Sequence, residues 1–217
     1  MSRWWGAGAD RGDTDRLEAF SDGVLAIAIT LLILDVRVDV PAGTSLAEAL
    51  GHALPQIGAY AASFLQIGII WANHHALFRV VNRVDQLMLL LNLLLLGLVS
   101  FVPLPTRLVA EHTAGADAAT ASLLYGATLT GAAIAFNLIW HHLVRAGLLV
   151  NGLTPEFVRD VTIRYLLGMV GYATATVLAL VMPLLTVLVS VALALMFALG
   201  PSVRPAFAPS DEAGEPS

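Results

Sequence analysis

The 217-residue chain contains no cysteine and no lysine, and only 12% of its residues are charged. Without cysteine there are no disulfides, iron–sulfur clusters or thiolate metal sites. Without lysine all eleven cations are arginines. Soluble domains carry about 25% charged residues, so this chain has roughly half the polar surface needed to stay in water. Hydrophobic residues make up 58%, which places it among membrane proteins. The net charge is -5, and six of the sixteen acids fall near the two ends (Asp10, Asp13, Asp15, Asp211, Glu212, Glu215). That pattern offers no basic face to nucleic acid.

Long uncharged runs dominate the rest. A spanning helix needs about 20 mostly apolar residues. Residues 53–72 and 86–106 are uncharged over 20 and 21 positions, and 118–142 lacks acid and arginine over 25. Residues 165–203 are uncharged over 39 positions, with Pro183 near the middle. We read two helices there, about 164–183 and 185–200, joined by a tight turn at the proline. The first apolar core, 23–34, is short, and reaches spanning length over about 17–36 only by taking in Asp22 and Asp35. The expectation is an all-α, six-helix polytopic membrane protein. Residues 1–15 and 204–217 read as polar tails flanking a membrane domain at 16–203. The first fifteen residues have no apolar core of the signal-peptide type. Ser45 and Glu48 have the spacing of a capping box, so a short helical turn is expected before the second span.

Alternating the spans puts nine arginines on one face (Arg3, Arg11, Arg16, Arg79, Arg83, Arg145, Arg159, Arg164, Arg204) and two, Arg37 and Arg107, on the other. Arginine-rich loops stay inside, so both termini are expected in the cytoplasm, with the protein in an inner membrane. The loops are too short to house a soluble active site. Any chemistry takes place within or between helices.

An acid at membrane depth needs a partner. Asp22 lies a turn or so inside the first span, and the topology brings Arg16, Ser21, Asn73, His74, His75, Asp85 and Asn92 to its level. One reading is a buried polar cluster that anchors the first helix and senses protons through histidine. The other is that the histidines are ordinary interfacial residues at a helix end. Adjacent histidines diverge by about 100° on a helix, unlike the i,i+4 pair a metal needs, so no metal site is expected. His141 and His142, in a Trp-His-His motif, faintly echo Trp71-Ala-Asn-His-His75. Farther along the first helix, Ile27, Leu31 and Leu34 share a face, with Thr30 beside them. Spacing alone fits lipid contact or helix packing as well as a pore.

The string Arg16-Leu-Glu-Ala-Phe20-Ser21-Asp22-Gly23 adds to this. Arg-x-x-x-Phe-Ser-Asp at the start of a first helix resembles the signature of the transmembrane protein 175 family of potassium channels. Further matches are Ala-Ile-x-Ile-Thr-Leu-Leu-Ile-Leu-Asp at 26–35, Trp-x-Asn-His-His at 71–75 and Phe-Val-Pro-Leu-Pro-Thr at 101–106. The motifs occupy the first half of the chain, and a single copy looks like the prokaryotic form. The resemblance implies four chains around one pore lined by the first helices. It also implies apolar rings at Ile27, Leu31 and Leu34, a hydroxyl ring at Thr30, and no carbonyl-lined filter, cofactor or catalytic residue. Arg16, Phe20, Ser21, Asp22, Trp71, Asn73, His74 and His75 would form the polar network holding the pore helix. An apolar constriction favours the ion that sheds water more readily, hence potassium over sodium. Asp35, followed by Asp39, would mark the outer mouth and draw cations in, unless these are ordinary interfacial acids. A proton channel using Asp22 and the histidines, and a secondary transporter, are the competing readings.

Overall fold

The computed structural model describes residues 11–199, which form eight α-helices and one 3-10 turn, with no β-strand among the described residues. The expectations for the tails therefore lie outside the described residues up to residue 10 and from 200 on.

The first helix, α1 (Arg11–Leu31), starts within the segment read as a polar tail. Asp13 in its first turn complements the helix dipole. It ends in the 3-10 turn Leu32–Asp35. Short α2 (Leu46–His52) begins at the expected capping box, where Ser45 Oγ accepts from the Glu48 amide at 3.2 Å. It meets α3 (Leu54–Phe78) at a bend of 55°. The Asp85 carboxylate caps α4 (Gln86–Phe101) by accepting from the Met88 amide at 2.8 Å.

Two expected helices differ from their observed form. The run 86–106 divides at Val102 into α4 and α5 (Pro103–Glu111), because Pro103 and Pro105 have no amide hydrogen to continue the ladder. Pro183 does not end the seventh helix but opens the eighth. Helix α7 (Pro155–Leu178) starts behind the Thr154 cap, nine residues earlier than expected, and α8 (Pro183–Leu199) takes its proline at the first position, where no amide bond is lost. Between α5 and α7 runs α6 (Gly115–Ala146), which stops at Gly147 in the left-handed conformation (φ 65°).

Four helical segments are long and apolar enough to cross a membrane: 12–35, 86–111, 117–146 and 155–178. The bent pair α2–α3 adds a fifth, and α8 is a shorter apolar helix of 17 residues. Helix α6 lies at the centre, packed against α4, α5, α7 and α8, while α1 packs on α3 and α4. Trp140, Leu129, Ile139 and Leu143 of α6 are fully buried. Gly126 lets α6 and α7 approach closely, since a β-carbon there would sit 2.6 Å from Thr176 Oγ1.

At one end of the bundle the connectors 79–85 and 147–154 pair with each other. Asn82 N donates to Leu148 O at 2.8 Å and Val150 N to Val80 O at 2.9 Å, around an antiparallel bridge between Val81 and Leu149. His142 Nε2 closes the same corner 2.8 Å from both Asp85 carboxylate oxygens.

Candidate functional site

Helix α1 buries one stripe and leaves the opposite one bare. Leu17, Ser21, Leu25, Ala28 and Leu32 follow three- and four-residue steps and are buried against the bundle. Ile27 is 61% exposed, Leu31 44% and Leu34 68%, and Gly23 and Thr30 are exposed beside them. The closing 3-10 turn keeps this outward stripe aligned, because residues three apart eclipse in that geometry and Leu34 sits over Leu31. The Thr30 hydroxyl donates to the Ile27 carbonyl at 2.9 Å. Its hydrogen is thereby spent, and its lone pairs are left to face outward.

Side-chain hydrogen bonds hold the buried stripe. Ser21 Oγ donates to the Leu17 carbonyl at 2.8 Å, so toward Asn92 it can only accept, and Asn92 Nδ2 donates to it at 2.9 Å. Asn92 Oδ1 then faces His74 Nε2 at 3.0 Å, which makes His74 the donor. This chain of bonds fixes the amide orientation and puts the histidine proton on Nε2, leaving Nδ1 buried without a partner. All three side chains are sealed from solvent and join α1, α3 and α4. Two flanking bonds join α1 to α3: Trp71 Nε1 donates to Asp22 Oδ1 at 2.9 Å, and His75 Nδ1 lies 2.8 Å from Glu18 Oε1.

The structure thus brings together Ser21, Asp22, Trp71, His74, His75 and Asn92, in three adjacent groups rather than one cluster. It does not bring in the others. Arg16 is exposed and makes no hydrogen bond or ion pair among the described residues. Phe20 is also exposed and continues the outward stripe toward Ile27. Asn73 bonds back to the Ile69 carbonyl of its own helix at 2.8 Å. Asp85 turns to His142 instead. Partial burial alone would raise the Asp85 pKa, but the Met88 amide and His142 more than offset it and hold the carboxyl below its usual value. At the opposite end Asp35 lies 4.0 Å from Arg107, which also approaches Glu111 at 3.8 Å.

Sequence reasoning passed over Glu18 as the partner of His75. It also passed over a second buried network, in which Ser63 Oγ lies 2.7 Å from Thr106 Oγ1 and 3.2 Å from the Tyr125 hydroxyl, tying α3 to α5 and α6. Isolated polar residues inside the uncharged runs 53–72, 86–106 and 118–142 were the available signal for the second of these.

Residues 16–103 match the profile of the family described as "Endosomal/lysosomal potassium channel TMEM175". The chain is 42% identical over 206 residues to "Potassium channel B446_29190" of Streptomyces collinus, covering 91% of this chain and 99% of that protein. The chain belongs to the TMEM175 family. Among solved structures, a lysosomal potassium-selective channel TMEM175 homolog from Chamaesiphon minutus matches with a TM-score of 0.75 at 36% identity, over 87% of this chain and 97% of that one. The chicken "Endosomal/lysosomal proton channel TMEM175" is 45% identical over 106 residues, which is 21% of its length. As a TMEM175 chain this is a multi-pass membrane protein, and α1 carries the start of the segment the family profile matches.

Proposed function

We propose that this TMEM175 chain is one subunit of a homotetrameric, potassium-preferring channel without enzymatic activity. Its pore is lined by the four α1 helices and narrows at Ile27, Leu31 and Leu34. The observation that carries this is the division of α1: Glu18, Ser21 and Asp22 are bonded to α3 and α4, and the opposite face is a stripe of large apolar residues with one hydroxyl, Thr30. Four such stripes meeting on an axis make a collar that an ion passes only after shedding water. Potassium is larger than sodium and holds its shell less tightly, so it crosses more readily. Thr30, with lone pairs outward, returns part of the lost hydration. The names of the bacterial relatives and the Chamaesiphon structure agree with potassium as the permeant ion. In this reading six helices cross an inner membrane, both termini are cytoplasmic, and the Asp35 end forms the outer mouth. There Arg107 tempers the attraction of Asp35 for cations.

Proton conduction is the second reading, favoured by the names of the animal relatives. The sealing of His74 speaks against a relay through it, since its Nδ1 reaches neither solvent nor a partner.

The natural absence of cysteine gives a clean test. Single substitutions Ile27→Cys, Thr30→Cys, Leu31→Cys and Leu34→Cys, treated with a charged thiosulfonate, are expected to block current at the positions facing the axis. Ile27→Asn, which hydrates the collar, is expected to raise current and to weaken discrimination between potassium and sodium. Current that is indifferent to modification at all four positions would remove α1 from the pore.

A further inference from the structure

On the face that the pore reading assigns to the outside, one connector differs from the other two. The segment 36–45 carries Arg37 and Asp39, and the link between α5 and α6 carries His112 and Thr113, with Glu111 and Asp117 at its ends. The α7–α8 turn has no polar side chain from Val177 to Leu185, although Val181 is 79% exposed and Leu184 68%. An aqueous tip of this kind would hold a bare apolar surface in water.

Two levels fix how far the hairpin reaches. At its base, Arg164 of α7 donates to the Phe197 carbonyl of α8. From that bond each arm runs fourteen residues to the turn, at Leu178 and Pro183, or about 21 Å. The hydrocarbon layer is about 30 Å thick. Near the top, Thr176 Oγ1 lies 2.9 Å from Thr130 Oγ1, and Gly126 faces the same threonine. Helix α6 runs on for nine residues from Gly126 to Asp117 in its first turn, about 13 Å, whereas α7 ends two residues after Thr176. The end of α7 thus stops about 10 Å short of Asp117, and the turn 179–182 recovers only part of that.

A turn inside hydrocarbon has to satisfy its own amides. Ala179 N donates to Thr176 O at 3.2 Å, Leu180 N to Val177 O at 3.2 Å, Val181 N to Leu178 O at 3.1 Å and Met182 N to Leu178 O at 2.9 Å. Pro183 has no amide hydrogen. The buried Thr186 hydroxyl donates to the Ala175 carbonyl at 3.0 Å, joining the two arms just below the turn. From Ala179 to Pro183 no amide hydrogen is left for water.

We infer that the α7–α8 turn ends inside the bilayer, where the acyl chains of the outer leaflet cover it instead of water. The inference rests on the pore reading for the side from which the hairpin enters, and it shortens the last two of the six crossings.

The test uses the full chain, which has no natural cysteine, with the single substitutions Val181→Cys and, on the outer segment 36–45, Ala42→Cys. Each carries a nitroxide in vesicles of palmitoyl-oleoyl phosphatidylcholine. Power-saturation electron paramagnetic resonance compares collisions with oxygen, which concentrates in hydrocarbon, and with a neutral nickel chelate, present in the water on both sides. The ratio of oxygen to nickel collisions is expected to be several-fold higher at position 181 than at position 42. Equal nickel access at the two positions would place the tip in water and overturn the inference. Low access to both probes at position 181 would put protein over the tip, such as a second copy of the chain, and would overturn it as well. If Val181→Cys does not fold, Leu180→Cys, on a side chain 65% exposed, carries the same comparison. The measurement needs no current, so its failure leaves the pore reading standing, and a silent channel leaves the depth result standing.

Discussion

Replacing Asn92 by leucine tests the anchor of α1 directly, because Asn92 is the middle of a chain of bonds with no water to take its place. The substitution removes the bond to Ser21 Oγ at 2.9 Å and the one to His74 Nε2 at 3.0 Å. Ser21 keeps its bond to the Leu17 carbonyl, so little of its bonding is lost. His74 fares worse: its Nδ1 is already bare, and the substitution would leave both ring nitrogens unpaired in a side chain with no exposed surface. Interhelical hydrogen bonds in membrane bundles are worth ~0.6 kcal/mol on average and up to ~1.7 kcal/mol. Stranding a buried donor adds about 1–3 kcal/mol. We therefore expect Asn92→Leu to cost about 2–4 kcal/mol in detergent unfolding followed by tryptophan fluorescence or circular dichroism. The double substitution His74→Leu with Asn92→Leu should cost less than the sum of the singles by about 1–2 kcal/mol, since it removes the stranded group along with its partner. Strictly additive effects, or Asn92→Leu proteins as stable as the natural one, would show that the three side chains do not act as a unit.

Two other outcomes follow from the packing and from the corner clasp. Gly126→Ala would place a β-carbon 2.6 Å from Thr176 Oγ1 and 3.0 Å from Thr176 Cα. Because one of those atoms is backbone, α6 and α7 must separate, and a loss of about 1–3 kcal/mol is expected in thermal unfolding. Asp85, with its pKa held below the usual carboxylate value, contributes stability that is present above the unfolded-state pKa and is lost as pH falls through the folded one. Stability of the natural protein should decline through and below the ordinary carboxylate range, and Asp85→Asn, which keeps the cap on Met88 but not the charge, should flatten that part of the curve.

The sequence was informative where the physics is local. The cap at Ser45 and Glu48 is read from four residues, and the long uncharged runs mark the helices that follow. Pro183 was ambiguous for a local reason too, since a proline that breaks a helix and one that starts the next look alike without the turn between them. The partners of Asp85 and Glu18 were out of reach. Asp85 meets His142 only because the connectors 79–85 and 147–154 pair, and nothing in either segment announces that register. Glu18 and His75 are 57 residues apart, and their contact depends on how α1 rotates against α3. The same rotation places Arg16 and Phe20 on the open side of α1, which the motif Arg-x-x-x-Phe-Ser-Asp does not reveal.

The most direct test of the pore account is the reversal potential of the purified protein in planar bilayers, with potassium on one side and sodium on the other, repeated under a pH gradient with equal potassium. The account predicts a reversal potential displaced toward the potassium equilibrium and unmoved by pH. A reversal that follows pH and ignores potassium, or a well-folded protein that carries no current, would contradict it.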